Sequence, residues 1–155
     1  MTTSTGAVGL GVLFKVGDGA SPEVFTAVAN VVNINISGRS VEEVDFTHLA
    51  SDNAFREFRA GFKDPGEISM TCHYNPGNAT LNGVAGLEYK LNTGDLFNFQ
   101  IDMSGVGGIP NATDFDYILA GTGYVSGGDY TFSGEDPITF DVTIRISGSM
   151  TFTAA

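Results

Sequence analysis

Apolar and polar residues alternate along most of the chain, and that period of two predicts strands. The longest run is the last: Ile138, Phe140, Val142, Ile144, Ile146, Met150 and Phe152 share one phase, with Thr139, Asp141, Thr143, Arg145, Ser147, Ser149 and Thr151 on the other and Gly148 as a bend. Glu67 to Tyr74 alternates strictly, with Ile68, Met70, Cys72 and Tyr74 against Ser69, Thr71 and His73, as a half-buried strand does. Asp95 to Met103 sets Phe97, Phe99, Ile101 and Met103 against Asn98, Gln100 and Asp102. Earlier strands are expected at Val12 to Val16, from Val28 through Val32, Ile34 and Ile36 to a stop at Gly38, and at Val41 to Thr47 with Glu42, Glu43 and Asp45 charged. Phe115 to Val125 reads as a strand with a bulge or close backbone approach at Gly121 and Gly123, and Ser126-Gly127-Gly128-Asp129 as the turn after it. Leu81, Val84, Ala85 and Leu87 fall at helical spacing, which predicts a single helix over Ala79 to Lys90. Gly105 to Asn111 is a glycine-rich loop, and Met1 to Gly11 reads as a flexible N-terminal arm.

One stretch breaks the alternation. In the stretch from Val44 to Tyr74, the middle places Phe46, Leu49, Phe55, Phe58 and Phe62 among Asp52, Arg56, Glu57, Arg59, Lys63 and Asp64. This is more aromatic surface than one connection can hide. Long connections in compact domains tend to be functional, and apolar groups rimmed by charge mark association surfaces. The excursion therefore reads as a contact arm made of Phe46, Leu49, Phe55, Arg56, Phe58, Arg59, Phe62 and Lys63. The competing reading is a short amphipathic helix that closes one end of the fold, because Phe55, Phe58 and Phe62 also fit helical spacing.

Composition narrows the class. Twenty-one glycines, twelve phenylalanines and no tryptophan in 155 residues fit a turn-rich β protein of one domain, residues 1–155. Eighteen acids against seven bases give a net charge of −11, which argues against a surface that grips nucleic-acid phosphates. Three of the seven bases lie in the arm, so the remaining surface is more acidic still. Asp102 and Asp141 stand on the wet phases of long strands. No secretory leader or membrane span is visible, and a soluble protein made in a cytoplasm is expected.

Catalytic patterns are missing. There is no G-x-x-x-x-G-K-[ST], G-x-S-x-G, H-E-x-x-H or C-x-x-C, and no cofactor or metal is expected. Gly121-Thr122-Gly123 and the glycines from Gly6 to Gly11 do not sit in a βαβ unit, so they carry no phosphate site. Cys72 and His73 are neighbours in a strand and point to opposite faces, which separates the sulfur from the imidazole. Asp114 and Asp116 share one face, as acids in so acidic a chain often do.

The segment FTHLASDNAFREFRAGFKDPGEISMTCHYNPGN resembles the tail tube proteins of long-tailed, siphovirus-like bacteriophages. It carries Thr47, Ser51, Asp52, Phe55 to Phe58, Gly61, Lys63, Asp64, Gly66 and Glu67 in that family's order. The resemblance is strongest over the arm, and a single helix among strands before a long alternating C-terminal strand agrees with it. It implies a β-sandwich or half-barrel with one short flanking helix and a long inter-subunit loop. Six such subunits would form a ring with a continuous inner β-barrel, and hexameric rings would stack into a conduit for DNA ejection. Further implications are a homo-oligomer in the virion tail, assembled in the host cytoplasm, with no enzymatic activity and no membrane anchor. Tape measure, tail terminator and tail tip proteins would be its partners, and DNA would pass without specific binding through a lumen that Asp102 and Asp141 could line. The extra immunoglobulin-like domain of some members is not expected. Two other readings remain: a monomeric ligand- or carbohydrate-binding β-sandwich, disfavoured by the missing tryptophan platforms, and the tube of a related bacterial secretion injector.

Overall fold

The structure is a computed structural model that describes residues 9–105 and 115–155. The N-terminal residues 1–8 and most of the glycine-rich loop, with Asp114, lie outside the described residues. Nine strands and one α-helix are present among those described: β1 (Leu13–Gly17), β2 (Phe25–Ala27), β3 (Val31–Ser37), β4 (Ser40–Asp45), β5 (Phe58–Asp64), β6 (Glu67–His73), α1 (Leu87–Thr93), β7 (Phe97–Asp102), β8 (Tyr117–Thr131) and β9 (Thr139–Ala154). Seven strands make one antiparallel sheet in the order β2-β1-β7-β8-β9-β6-β3, and β4 and β5 make a separate two-stranded ribbon.

That sheet cannot be flat. Its two edge strands, β2 and β3, are joined by Val28, Ala29 and Asn30 alone. Such a link reaches about 14 Å at full extension, whereas the edges of a flat seven-stranded sheet would lie about 29 Å apart. The sheet therefore curls until β1 approaches β3. Asn30 makes the link by adopting φ 58°, so the expected strand through Val28 is split into β2 and β3.

The curl is built into the β8–β9 hairpin. Between the pairs Ala120↔Thr151 and Thr122↔Ser147, Gly121 alone faces Gly148, Ser149 and Met150, a large bulge that bends both strands. β7 pairs with β8 over Ile118 to Gly123, the stretch that holds the bend, and β6 pairs with β9 beyond it, over Thr139 to Arg145. The two halves face each other across a core of Phe14, Phe99, Ile101 and Leu119 from one and Ile68, Met70, Cys72, Phe140, Val142 and Ile144 from the other. This is the expected half-barrel. Gly121 also leaves room for Phe99, since a Cβ there would sit 2.9 Å from the ring. Cys72 is fully buried, and burial pushes its thiol up to about 11.

Two local expectations fail for identifiable reasons. The helix begins at Leu87, not Ala79. The Asn78 carboxamide takes the Thr80 N–H at 2.9 Å and that of Asn82 takes the Val84 and Ala85 N–H groups at 3.2 and 3.1 Å, so 78–86 winds through turns. Gly86, extended and packed on the backbone of Leu81 and Asn82, then caps α1. Ser126 to Asp129 is likewise strand and not turn: β8 runs on to Thr131 because Gly127 to Thr131 pair with Thr139 to Thr143. The bulge at Val125/Gly127 absorbs the local glycine signal.

Asp102 also departs from expectation. It occupies the outward phase of β7 but is only 9% exposed. Its Oδ1 accepts the Ser104 hydroxyl at 2.6 Å and its Oδ2 accepts Lys15 Nζ at 2.9 Å, tying β7 to β1. The Ser104 hydroxyl first, and the Lys15 ammonium after it, hold the carboxyl down at about 2. It is a structural ion pair, not a free wet-face acid. A depressed carboxyl stabilises the fold above its ordinary value of 3.8, and that contribution is lost as pH falls toward 2. Asp102→Ala is expected to cost about 1–3 kcal/mol at neutral pH, read by urea unfolding, with the difference from the parent shrinking in that acid window.

Candidate assembly surfaces

The eight arm residues are brought together on the β4–β5 ribbon and its tip. The β4–β5 pairing overrides the helical spacing of Phe55, Phe58 and Phe62. Val44 lies opposite Arg59, whose guanidinium sits 4.8 Å from the centre of the Phe46 ring, while Phe58 lies opposite Asp45. Aromatic groups thus occur on both faces of a ribbon whose strands pair only with each other. Phe55 is 73% exposed, Phe62 89%, and Leu49 fully. Arg56, Arg59 and Lys63 are exposed as well.

The tip is nonetheless ordered by its own polar groups. Asp45 Oδ1 accepts the Thr47 N–H at 2.8 Å, and Thr47 Oγ1 accepts the Glu57 N–H at 2.9 Å. Ser51 Oγ accepts the His48 N–H at 3.0 Å and donates to Glu57 Oε2 at 2.8 Å. The hydrogen bond to the Thr47 side chain, then that to its backbone, lowers the Asp45 carboxyl below its usual range. A 3-10 turn, Asp52–Ala54, carries Asn53 and Ala54 at φ 51° and 59°. A left-handed alanine costs about 1–2 kcal/mol. Such a conformation persists only where its surroundings over-determine it. A pre-ordered tip loses less entropy on contact.

The arm is tied to the sheet at its root. Arg145 Nη2 on β9 donates to both carboxylate oxygens of Asp64 at 2.9 and 2.8 Å. Asp64 Oδ1 also accepts the Gly66 N–H at 2.8 Å, and this bond, followed by the one from Arg145, lowers the Asp64 carboxyl. Gly66 turns the chain at φ 88°, where a Cβ would meet Ser37 O at 2.3 Å. Sequence reasoning missed this pair, although Arg145 was visible as the single base in the last strand. Arg145→Ala is expected to leave the core folded and raise amide hydrogen exchange across 40–64 severalfold; unchanged exchange there would show that the pair does not hold the arm. The same loosening should appear in the parent as pH falls below 3.8 through the lowered Asp64 value, since a depressed carboxyl loses its contribution on protonation.

A second surface is polar throughout. The outward phase of β3, β6 and β9 presents Asn33, Asn35, Ser69, Thr71, Asp141 and Thr143, small side chains lining one shallow groove. Asp141 is exposed, as expected, and its Oδ1 accepts the Thr71 hydroxyl at 2.7 Å. Asp129 faces it directly across the β8–β9 ladder. Like charges so placed destabilise a sheet.

Among the described residues no three His, Cys, Asp or Glu side chains gather where they could hold a metal ion, and no helix is long and apolar enough to cross a membrane.

The family model for the lambda phage tail tube protein matches residues 13–153. The chain belongs to that family. No curated protein sequence matches it, but solved structures share the fold of this tail tube family member. The tail of an empty gene transfer agent particle, refined with C6 symmetry, has a TM-score of 0.70 at 23% identity, over 96% of this chain and 100% of that one. The SPP1 tail tube scores 0.66 at 15% identity, over 97% of this chain and 80% of that one. The sheath–tube complex of an extracellular contractile injection system scores 0.66 at 12% identity, over 99% and 100%.

Proposed function

We propose that this tail tube family member forms hexameric rings that stack into the tail tube of a phage particle and pass DNA during ejection. The observation that carries this reading is the family match over 13–153, joined to a shared fold with a tail of six-fold symmetry. The arm supports it, because an ordered ribbon with aromatic groups on both faces is built to be covered by other copies. In this reading Phe46, Leu49, Phe55, Arg56, Phe58, Arg59, Phe62 and Lys63 are inter-subunit contacts. Assembly takes place in the host cytoplasm, tape measure, terminator and tip proteins bound the tube, and the subunit has no catalytic role. An injector tube is the less favoured relative, since those structures match at 12% identity or less and the family match is to a phage tail.

The small polar face of β3, β6 and β9 suits the lumen wall. Its arginine, Arg145, is held by both carboxylate oxygens of Asp64, it offers DNA no apolar platform, and Asp141 with Asp129 repels phosphate. The fold tolerates two opposed carboxylates there at some cost, which a conduit function explains. Asp102, neutralised by Lys15, adds little to that field. Asp129→Asn with Asp141→Asn is expected to leave subunit stability unchanged or slightly raised, to leave tube assembly intact and to slow genome ejection; normal ejection kinetics would count against this wall. Sedimentation velocity over a concentration series tests assembly itself. A jump from monomer to very large species is expected, and a monomer at every concentration, with no response to preformed tube fragments, would overturn the proposal.

A further inference from the structure

The arm needs a receiver. Among the surfaces with exposed apolar groups are the β8–β9 turn with Phe132 and Ile138, the outer edge at β3 with Val32, and a cleft of about 440 Å³ between β1–β2 and the 79–90 segment. Among the described residues no cavity is found at the turn, and the groove of about 540 Å³ at the β3 edge is lined by Leu10, Val12, Val31, Val32, Asn33 and Ile34, with no acid to meet a basic arm. The cleft is concave and lined by Val16, Val28, Val84, Leu87 and Tyr89, with Val84 80% exposed.

Its charge is also complementary. Asp18 lines it, and Glu23 lies against Gly17 at its wall. The cation in the lining, Lys90, is directed at the Phe97 ring 5.0 Å away. The ribbon face that carries Val44, Phe46 and Arg59 is the matching half: an aromatic group to bury beside a cation to pair. The opposite face, where Phe58 meets Asp45, matches poorly.

Position decides how many chains are involved. The arm enters β6 at Glu67, while the cleft lip is fixed beyond the other end of β6, where the His73 N–H donates to Asn30 O at 2.9 Å and the Ala29 N–H donates to Thr80 Oγ1 at 3.0 Å. A seven-residue strand, about 20 Å long, separates them. Two complementary patches at opposite ends of one subunit make a head-to-tail contact that repeats from copy to copy. We propose that the Phe46–Arg59 face of the arm docks in the Asp18–Val84–Leu87 cleft of a second copy. This rests on the tube reading above and names the receiver within it.

Charge exchange and cross-linking test it on the full chain. Arg59→Glu, and separately Asp18→Lys with Glu23→Lys, should each raise the concentration needed for assembly about tenfold or more, and all three together should restore it to within about twofold. In assembled, oxidised material Phe46→Cys with Val84→Cys should give a ladder of covalent oligomers on a non-reducing gel, while Phe58→Cys with Val84→Cys should not. Buried Cys72 stays out of the reaction. Assembled tubes without the Phe46–Val84 ladder, a ladder from Phe46→Cys with Phe132→Cys instead, or failed rescue by charge exchange would each overturn this receiver and leave the tube standing. Failure of the parent chain to assemble would remove the tube reading itself.

Discussion

Truncation of Phe140 to alanine is expected to cost about 3–5 kcal/mol, as removal of a buried aromatic ring does. The side chain is fully buried. Its ring stacks on Tyr130 at 4.6 Å and meets the edge of Tyr74 at 5.8 Å, and a Cβ on Gly128 would lie only 2.6 Å from it. Those neighbours sit on two elements, β8 and the segment after β6, so a cavity there cannot close by moving one side chain. Against a typical total of about 5–15 kcal/mol, the loss is large. Thermal unfolding should shift down by about 10 °C or more. Phe152→Ala, at a position 64% exposed on the same strand, should shift it little. Equal shifts for the two would mean that the core is not where the packing puts it.

Reversal of charge at Arg56 and Arg59 is expected to act the other way round, leaving the fold intact and weakening assembly. Both residues are exposed on the ribbon, outside the alternating core strands. Within the subunit the change removes the stacking of Arg59 on Phe46, worth about 0.5–1 kcal/mol at an exposed site. Between subunits it sets two glutamates against the acidic surface of a neighbour. Like charges brought together in a contact cost several kcal/mol, and at about 3 kcal/mol each association constant falls about a hundredfold. Circular dichroism should match the parent and unfolding should stay within about 1 kcal/mol of it, while sedimentation shows subunits that stay small. Unchanged tube formation in Arg56→Glu/Arg59→Glu would sink the arm assignment.

The parts of this fold legible in the sequence are those where local pattern and long-range pairing agree. Ile68, Met70 and Cys72 alternate with Ser69 and Thr71, and β6 has a partner on each side, so the period of two survives intact. The same holds for β9 up to Gly148, where the bend predicted from glycine is found at φ 84°. The arm was legible as a projection because its aromatic groups exceed what a connection can bury, but its form was not. Phe55, Phe58 and Phe62 satisfy a helical period while Phe58, Ala60 and Phe62 satisfy an extended one, and the pairing of β5 with β4 decides. Where local signals were strong but outvoted, the reading failed. Ser126 to Asp129 carries turn residues that the fifteen-residue strand β8 absorbs, and the spacing of Leu81 to Leu87 is defeated by the Asn78 and Asn82 side chains. Asp102 lay on the predicted phase, yet its burial depends on Lys15, 87 residues away in sequence. Alternation tells which way a side chain points, not what meets it there.

Negative-stain electron microscopy of the purified chain across a concentration series, with preformed tube fragments added to one arm of the series, tests the conduit most directly. Rings or tubes of uniform width, with six-fold end views and a stain-filled lumen, are the expected result. A population of isolated globular subunits at every concentration, or aggregates without a lumen, would contradict a tube subunit.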